Sequence, residues 1–381
     1  MFLSKLYILK TTIRGMKNHI DPWEVKGDVN YEKLIKEFGI SPLKNLPEAF
    51  DKEIIFRRGF VFAHRDIQRI LESIKNKKKF VVMTGLMPTG RFHIGHMLVI
   101  RQVIFFQKLG AKVYIAVADL EAYNTRNQSL EQSKEIALDY ISNYIALGLD
   151  INKTDIYFQS ERSKDGNKSN AYYRLQNLLA RHATFNEFKA VYGDITPGKM
   201  LCSLLQASDM LHPQLPEFEG ECPVLVPVGI DQDPHLRLAR DISQRIKTNK
   251  FTQLSSIYNL FLPGLGGGKM SASDPNSFIS FTDTAKEVEN KIKKYAFSGG
   301  QATLEEHRKN GGNPDVDVSY QYLKLFEDSD DKLKKIHDNY KSGKLLTGEL
   351  KQLTIISINE FLREHQKKLV EAKKHISKYL N

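Results

Sequence analysis

Cysteine is scarce: the 381 residues hold only Cys202 and Cys222. That excludes a disulfide framework, a zinc ribbon and a four-thiolate iron–sulfur site, and it fits a reducing cytoplasm. No apolar run approaches the ~20 residues that span a bilayer. The Phe2–Leu9 stretch is short, carries Lys5 and lacks a small-residue cleavage site, which makes it a poor signal peptide. Neither a membrane partner nor export is expected. No Asp/Glu/His cluster has the spacing of a built-in metal site. Internal repeats are absent, and Gly264–Gly268 is the sole candidate low-complexity segment.

What is present describes a folded, basic chain. Hydrophobic residues make up 41% and charged residues 27%, enough for a real core and too little charge for a disordered chain. A prior of ~150 residues per domain predicts two or three domains. Lys+Arg 56 against Asp+Glu 45 gives a net charge of +11, which favours a polyanionic partner. The excess is spread out, since residues 286–381 hold 19 Lys/Arg and 15 Asp/Glu.

Periodicity places the elements. Residues 31–38 have helical spacing before Gly39. Phe80–Met83 reads as a short strand, Thr84–Arg91 as a loop, and His93 to Leu109 as a helix stopped by Gly110. Val113–Ala118 and Ile156–Gln159 are further strands around a long helix over 129–147, and Pro223–Ile230 is a buried strand feeding a helix near Pro234. Strands alternating with helices of this length predict a parallel α/β sheet. Beyond the glycine run the chain is helical and charge-rich.

Two loops carry the chemistry. Gly85-Leu-Met-Pro-Thr-Gly90 has P-loop spacing, but Arg91 and Phe92 stand where the lysine and the hydroxyl residue are required. The stretch Pro88-Thr89-Gly90-Arg-Phe-His93-Ile-Gly95-His96 lies instead between a strand and a helix, where backbone N–H groups and the helix end attract phosphate. His93 and His96 are three apart and share a face of the first turn, placed to donate to a phosphoryl group. Gly95 leaves room for a flat ring to approach the backbone. In the second loop, three glycines precede Lys269, whose ammonium can swing onto a polyphosphate, and Ser271 and Ser273 add hydroxyl donors.

Together these segments resemble the signature pair of class I aminoacyl-tRNA synthetases: His93-Ile-Gly-His96 and Lys269-Met270-Ser271-Ala272-Ser273. Ala272 replaces a lysine common in the class, a form usual in the archaeal and eukaryotic tryptophan branch. Phe60–Asp66, Asp119–Tyr123, Gly229–His235, Ala296–Gly300, Glu305–Arg308 and Gly311–Val318 resemble the same branch. The resemblance implies an α/β fold with a doubly wound, parallel-sheet, Rossmann-like catalytic domain and a C-terminal helical domain. The expected bounds are an N-terminal appendage at 1–75, the catalytic domain at 76–273 and a tRNA anticodon-binding domain at 274–381. It implies a cytoplasmic homodimer that takes tryptophan, tRNA and ATP, with Mg²⁺ carried in by the ATP. Tyrosine–tRNA ligase, or a non-catalytic RNA-binding paralogue, is the alternative.

Catalysis would then rest on His93, His96 and Lys269. ATP would meet Pro88, Thr89, Gly90, Gly95, Met270, Ser271 and Ser273, with Asp231 on the ribose. Glu121 lies beyond a strand end, where a parallel sheet places ligands. Gln206 and Asp209, three apart on one helix face, would read the amino group and the polar atom of the ring, and Gln232 resembles a substrate-contacting glutamine. Met83 and Ala116 stand where eukaryotic relatives carry a tyrosine and a glutamine. The ring N–H must therefore be read elsewhere, with Asp209 the first candidate and Glu121 the second.

Overall fold

Reciprocal caps start several helices where the sequence places a hydroxyl three residues before a Glu or Gln. Ser129 Oγ accepts from the Gln132 amide at 3.2 Å and opens the helix Leu130–Ala146. Thr284 with Glu287 and Thr303 with Glu306 do the same for Ala285–Tyr295 and Leu304–Asn310. Each such cap contributes about 1 kcal/mol. The computed structural model describes residues 19–20, 25–26, 31–268, 270 and 274–376.

A short hairpin, β1 (His19–Ile20) and β2 (Val25–Lys26), precedes the central sheet. That sheet has seven strands: β3 (Ser41–Pro42), β4 (Val61–Arg65), β5 (Val81–Leu86), β6 (Lys112–Val117), β7 (Thr154–Phe158), β8 (Val224–Gly229) and β9 (Ser255–Asn259). Their order is β3-β4-β9-β8-β5-β6-β7. The run from β9 to β7 is parallel, β4 lies antiparallel to β9, and β3 forms the edge antiparallel to β4. Between β8 and β5 the winding direction reverses, which opens a crevice at the carboxyl ends of the strands.

Strand β5 runs three residues beyond the expected Phe80–Met83, because Thr84–Leu86 pair with Ile115–Val117 on β6. Two strands have no sequence signal at all. Both β4 and β9 are buried on either face, so neither shows alternation. The serines of β9 are satisfied inside: Ser255 Oγ donates to the Asp66 carbonyl at 2.7 Å and Ser256 Oγ to Tyr258 at 2.6 Å. Strands β3 and β4 precede residue 76, so the sheet draws on the segment expected to be an appendage.

The C-terminal helices do not stand apart. Ile355, Ile358 and Leu362 share one apolar core with Tyr140, Tyr144 and Phe281, and His365 Nε2 meets Asn143 Oδ1 at 2.8 Å. The Ser298–Gly300 and Gly311–Pro314 segments interlock around Asp317. Its carboxylate accepts from the Gly299 amide at 2.9 Å, from Tyr340 Oη at 2.8 Å and from the Ser319 amide at 2.9 Å. This knot braces the glycine run, because the Phe297 amide donates to the Leu265 carbonyl at 2.7 Å and Tyr322 Oη to the Pro263 carbonyl at 2.8 Å.

Candidate active site

The histidine loop leaves β5 and enters the helix Ile94–Lys108. His93 is the N-cap. Its Nδ1 accepts from the Gly95 amide at 3.1 Å, while its own amide donates to His96 Nδ1 at 3.3 Å. Both Nδ1 atoms therefore act as acceptors, which leaves the proton of each ring on Nε2. The rings stack with centroids 3.7 Å apart. Burial pushes His93 down to about 4, and burial together with His93 pushes His96 well below its ordinary value. At neutral pH the pair carries no positive charge; its donors are the two Nε2–H groups, and that of His96 lies 3.5 Å from Tyr140 Oη.

Side chains from neighbouring elements hold this loop. Tyr140 Oη donates to the Thr89 carbonyl at 2.8 Å and Gln128 Nε2 to the Pro88 carbonyl at 2.6 Å. Gly90 turns the chain at φ +66°. The backbone at Gly95 is closely lined on its Cβ side. A Cβ would lie 2.9 Å from His93 Cε1 and 3.0 Å from the Met270 sulfur. A side chain at 95 would thus collide with both signature segments, which meet at this point. Residues Ile279–Phe281 run along the loop, with the Ile94 amide donating to the Ile279 carbonyl and the Phe281 amide to the Phe92 carbonyl, both at 3.2 Å. Lys269, Ser271 and Ser273 lie outside the described residues.

A second group converges over β5, β6 and β8. A cavity of about 510 Å³, counting its open mouth, is lined by Met83, Gly85, Ala116, Val226 and Val228 on the strands. Glu121, Gln206, Asp209 and Gln232 supply its polar wall, together with Gln159 and His235. A mostly apolar slot of this size with a few polar groups is the usual form of a small-ligand site. Asp231 is next to Gln232, on the turn after β8, and its carboxylate lies 2.6 Å from where a Cβ on Gly229 would be.

The carboxylates in the slot are held by donors. Gln206 Nε2 donates to Glu121 Oε2 at 2.6 Å. Asp209 Oδ1 accepts from Tyr157 Oη at 2.8 Å and Tyr172 Oη at 2.6 Å, and Oδ2 accepts from Gln159 Nε2 at 2.8 Å. Oδ2 keeps a further acceptor position. Burial pushes Glu121 up to about 7, with Asp209 adding to the rise and Gln206 opposing it. Burial likewise pushes Asp209 up to about 6, against its three donors and Arg162. Two carboxyls near neutrality in an apolar slot suit a cationic group and a ring donor.

Gln159, like His235, is a polar wall residue that the sequence reading omitted. It stands just past β7 and spans the site, accepting from the Glu121 amide at 3.4 Å through Oε1 while holding Asp209 through Nε2. Its position beyond a parallel strand is the signal that singled out Glu121, and it applies equally here.

Residues 75–363 match the family described as tRNA synthetases class I (W and Y). The tryptophan–tRNA ligase of Hyperthermus butylicus is 41% identical over 370 residues, covering 95% of this chain and 97% of that protein. That of Methanocaldococcus jannaschii is 42% identical over 369 residues, covering 95% and 98%. Among solved structures, the tryptophanyl-tRNA synthetase of Aeropyrum pernix K1 superposes with a TM-score of 0.87 at 41% identity, covering 92% of this chain and 96% of that one. The enzyme from Giardia lamblia gives 0.80 at 32% identity, covering 89% and 92%.

Proposed function

Because the chain belongs to the class I tRNA synthetases of the tryptophan and tyrosine family, we propose that its slot over β5, β6 and β8 takes tryptophan and its histidine loop takes ATP. The activity is that of an aminoacyl-tRNA ligase: ATP activates tryptophan to the adenylate, and the acyl group passes to tRNA. The observation that carries the site assignment is the convergence of Glu121, Gln206, Asp209 and Gln232 on one apolar slot beside the β5–helix loop.

In this reading the substrate carboxylate attacks the α-phosphorus in line, and pyrophosphate leaves with its Mg²⁺. No covalent enzyme intermediate is required, so catalysis is positioning and charge stabilisation. The Nε2–H groups of His93 and His96 donate to the phosphoryl oxygens. Lys269, Met270, Ser271 and Ser273 close over the polyphosphate, with Pro88, Thr89, Gly90 and Gly95 forming the floor. Asp231 takes the ribose. Glu121, Gln206 and Gln232 take the ammonium, and Asp209 Oδ2 accepts the indole N–H. A buried N–H left without an acceptor would cost about 1–3 kcal/mol, and Met83 and Ala116 cannot accept one.

The segment at 1–75 acts as an appendage that completes the edge of the catalytic domain at 76–273, and the helices at 274–381 approach the anticodon. A homodimer is part of the same reading. It is supported by Tyr123, Leu178 and Leu201, which stay exposed on helices packed side by side. The free, buried Cys202 and Cys222 fit a cytoplasmic enzyme. No helix among the described residues is long and apolar enough to cross a membrane.

Amino-acid-dependent ATP–pyrophosphate exchange tests the assignment. Tryptophan should drive exchange and tyrosine should not, and the reverse result would sink the reading of the slot. The pH dependence follows from the two carboxyls. Below about 6 both are protonated and neutral, and between about 6 and 7 Glu121 alone stays so, while the substrate ammonium keeps its charge. Tryptophan affinity should therefore rise with pH from 5.5 and level off above about 7, by at most ~tenfold per pH unit for each proton released. Equilibrium dialysis on Glu121→Gln should show the upper part of that rise gone. If the variant keeps the wild-type profile, Glu121 does not face the ammonium.

A further inference from the structure

Behind the slot, one buried cation contacts two of the groups that hold Asp209. Arg162 is 3% exposed. Its guanidinium lies 3.9 Å from the centroid of the Tyr157 ring and 4.7 Å from that of Phe218. Two nitrogens grip Asp155, Nη2 to Oδ2 at 2.9 Å and Nη1 to Oδ1 at 3.3 Å. The third, Nε, donates to His212 Nε2 at 3.0 Å.

That last contact dictates the state of His212. With Nε2 accepting, the ring proton sits on Nδ1, which lies 3.0 Å from the carbonyls of Ser208 and of Asp209 itself. The neutral imidazole thereby locks the last turn of the helix Pro197–Leu211, which carries Gln206 and Asp209. On the other side, the guanidinium plane fixes the Tyr157 ring, whose hydroxyl donates to Asp209 Oδ1. Arg162 reaches the carboxylate by two routes, through a ring and through a backbone turn, and touches the slot with neither.

We propose that Arg162 is a positioning residue for substrate choice, acting through Tyr157 and His212 to hold the Asp209 carboxylate where it accepts the substrate's ring N–H. The inference rests on the tryptophan reading of the slot and on Asp209 as the acceptor. The ionisable groups around Asp209 are Tyr157 on β7, Tyr172 on the helix Gly166–Ala180, Glu121, His212, His235 and Arg162. Burial keeps both tyrosines and both histidines uncharged. Glu121 opposes a charge on Asp209, while the hydrogen bonds from Tyr172 and Tyr157 favour it and the Arg162 charge adds to them. The planar, bidentate and stacked contacts cannot be reproduced by lysine.

The experiment compares tryptophan with its analogue in which sulfur replaces the ring nitrogen, which has no N–H, in pyrophosphate exchange. Arg162→Lys should raise KM for tryptophan about tenfold, the size of one weakened hydrogen bond. It should leave kcat, and KM for the sulfur analogue, near wild type. Asp155→Asn, which loosens Arg162 from the far side of the slot, should act in the same direction more weakly, and it serves if Arg162→Lys fails to fold. Asp209→Asn is run in parallel. If Asp209→Asn harms both substrates equally, the acceptor assignment falls and this inference falls with it. If Asp209→Asn is selective for tryptophan while both upstream variants shift the two substrates alike, or shift neither, Arg162 is structural and the inference alone is overturned.

Discussion

Lys269→Ala should slow adenylate formation by ~10²–10³, the usual loss for one preorganised charge-stabilising donor, while tryptophan affinity stays nearly unchanged. Both histidines of the first loop are neutral by burial, so in the proposed mechanism they would act on the phosphoryl group by hydrogen bonding alone. Ala272 supplies no second ammonium. Lys269 is then the cation of the two signature segments, with the exposed Arg91 just before the first. The flanks of the lysine are anchored independently of its side chain. Leu265 is held by the Phe297 amide, and the Met270 sulfur packs 3.0 Å from where a Cβ on Gly95 would sit. The substitution therefore removes a charge and leaves those anchors in place. Single-turnover formation of tryptophanyl-adenylate is the measurement, and a wild-type rate would remove Lys269 from the mechanism.

Gly312→Ala should destabilise the whole chain. A Cβ there would lie 2.5 Å from the Tyr340 ring and 2.9 Å from His307 Cε1. Tyr340 is completely buried and hydrogen-bonded to Asp317, so the ring has nowhere to retreat. Overpacking of this kind costs about 1–3 kcal/mol. Gly311→Ala should be worse, because φ is +71° and the added carbon would meet the Lys341 carbonyl at 1.9 Å. Gly348→Ala is the control: nothing lies within 4 Å, and the backbone is helical, so alanine should be neutral or favourable there. Thermal unfolding monitored by circular dichroism reads all three. Equal melting temperatures for Gly312→Ala and Gly348→Ala would refute the packing argument. Adenylate formation should also fall in Gly312→Ala, since the same knot carries Phe297 and Tyr322 against the glycine run.

These glycines show why some motifs resist functional reading. Ala296–Gly300, Glu305–Arg308 and Gly311–Val318 look as informative as the catalytic signatures, yet they interlock with one another around Asp317 and Tyr340. Their glycines are required because an added Cβ would fall below van der Waals distance of its neighbours, and only the assembled chain shows which atom sits opposite which glycine.

Sequence by itself determined whatever depends on short spacing. The α/β alternation, the helix starts at Ser129, Thr284 and Thr303, and the His93/His96 pair follow from a period of 3.6 and from cap chemistry within four residues. Glu121 was legible from its place beyond a parallel strand, whereas Gln206, Asp209 and Gln232 were legible only through the family resemblance. Tertiary structure alone decided the rest. Strands β4 and β9 are buried on both faces, so no alternation marks them. The state of each imidazole depends on what the other nitrogen touches, as at His212, whose partner lies fifty positions away in sequence. Asp209 differs from any other helical aspartate through Tyr157, Tyr172, Gln159 and Arg162, which reach it from separate elements. Hydrogen bonding and burial act over a few ångströms in space, and the fold, not the order of residues, decides which groups come that close.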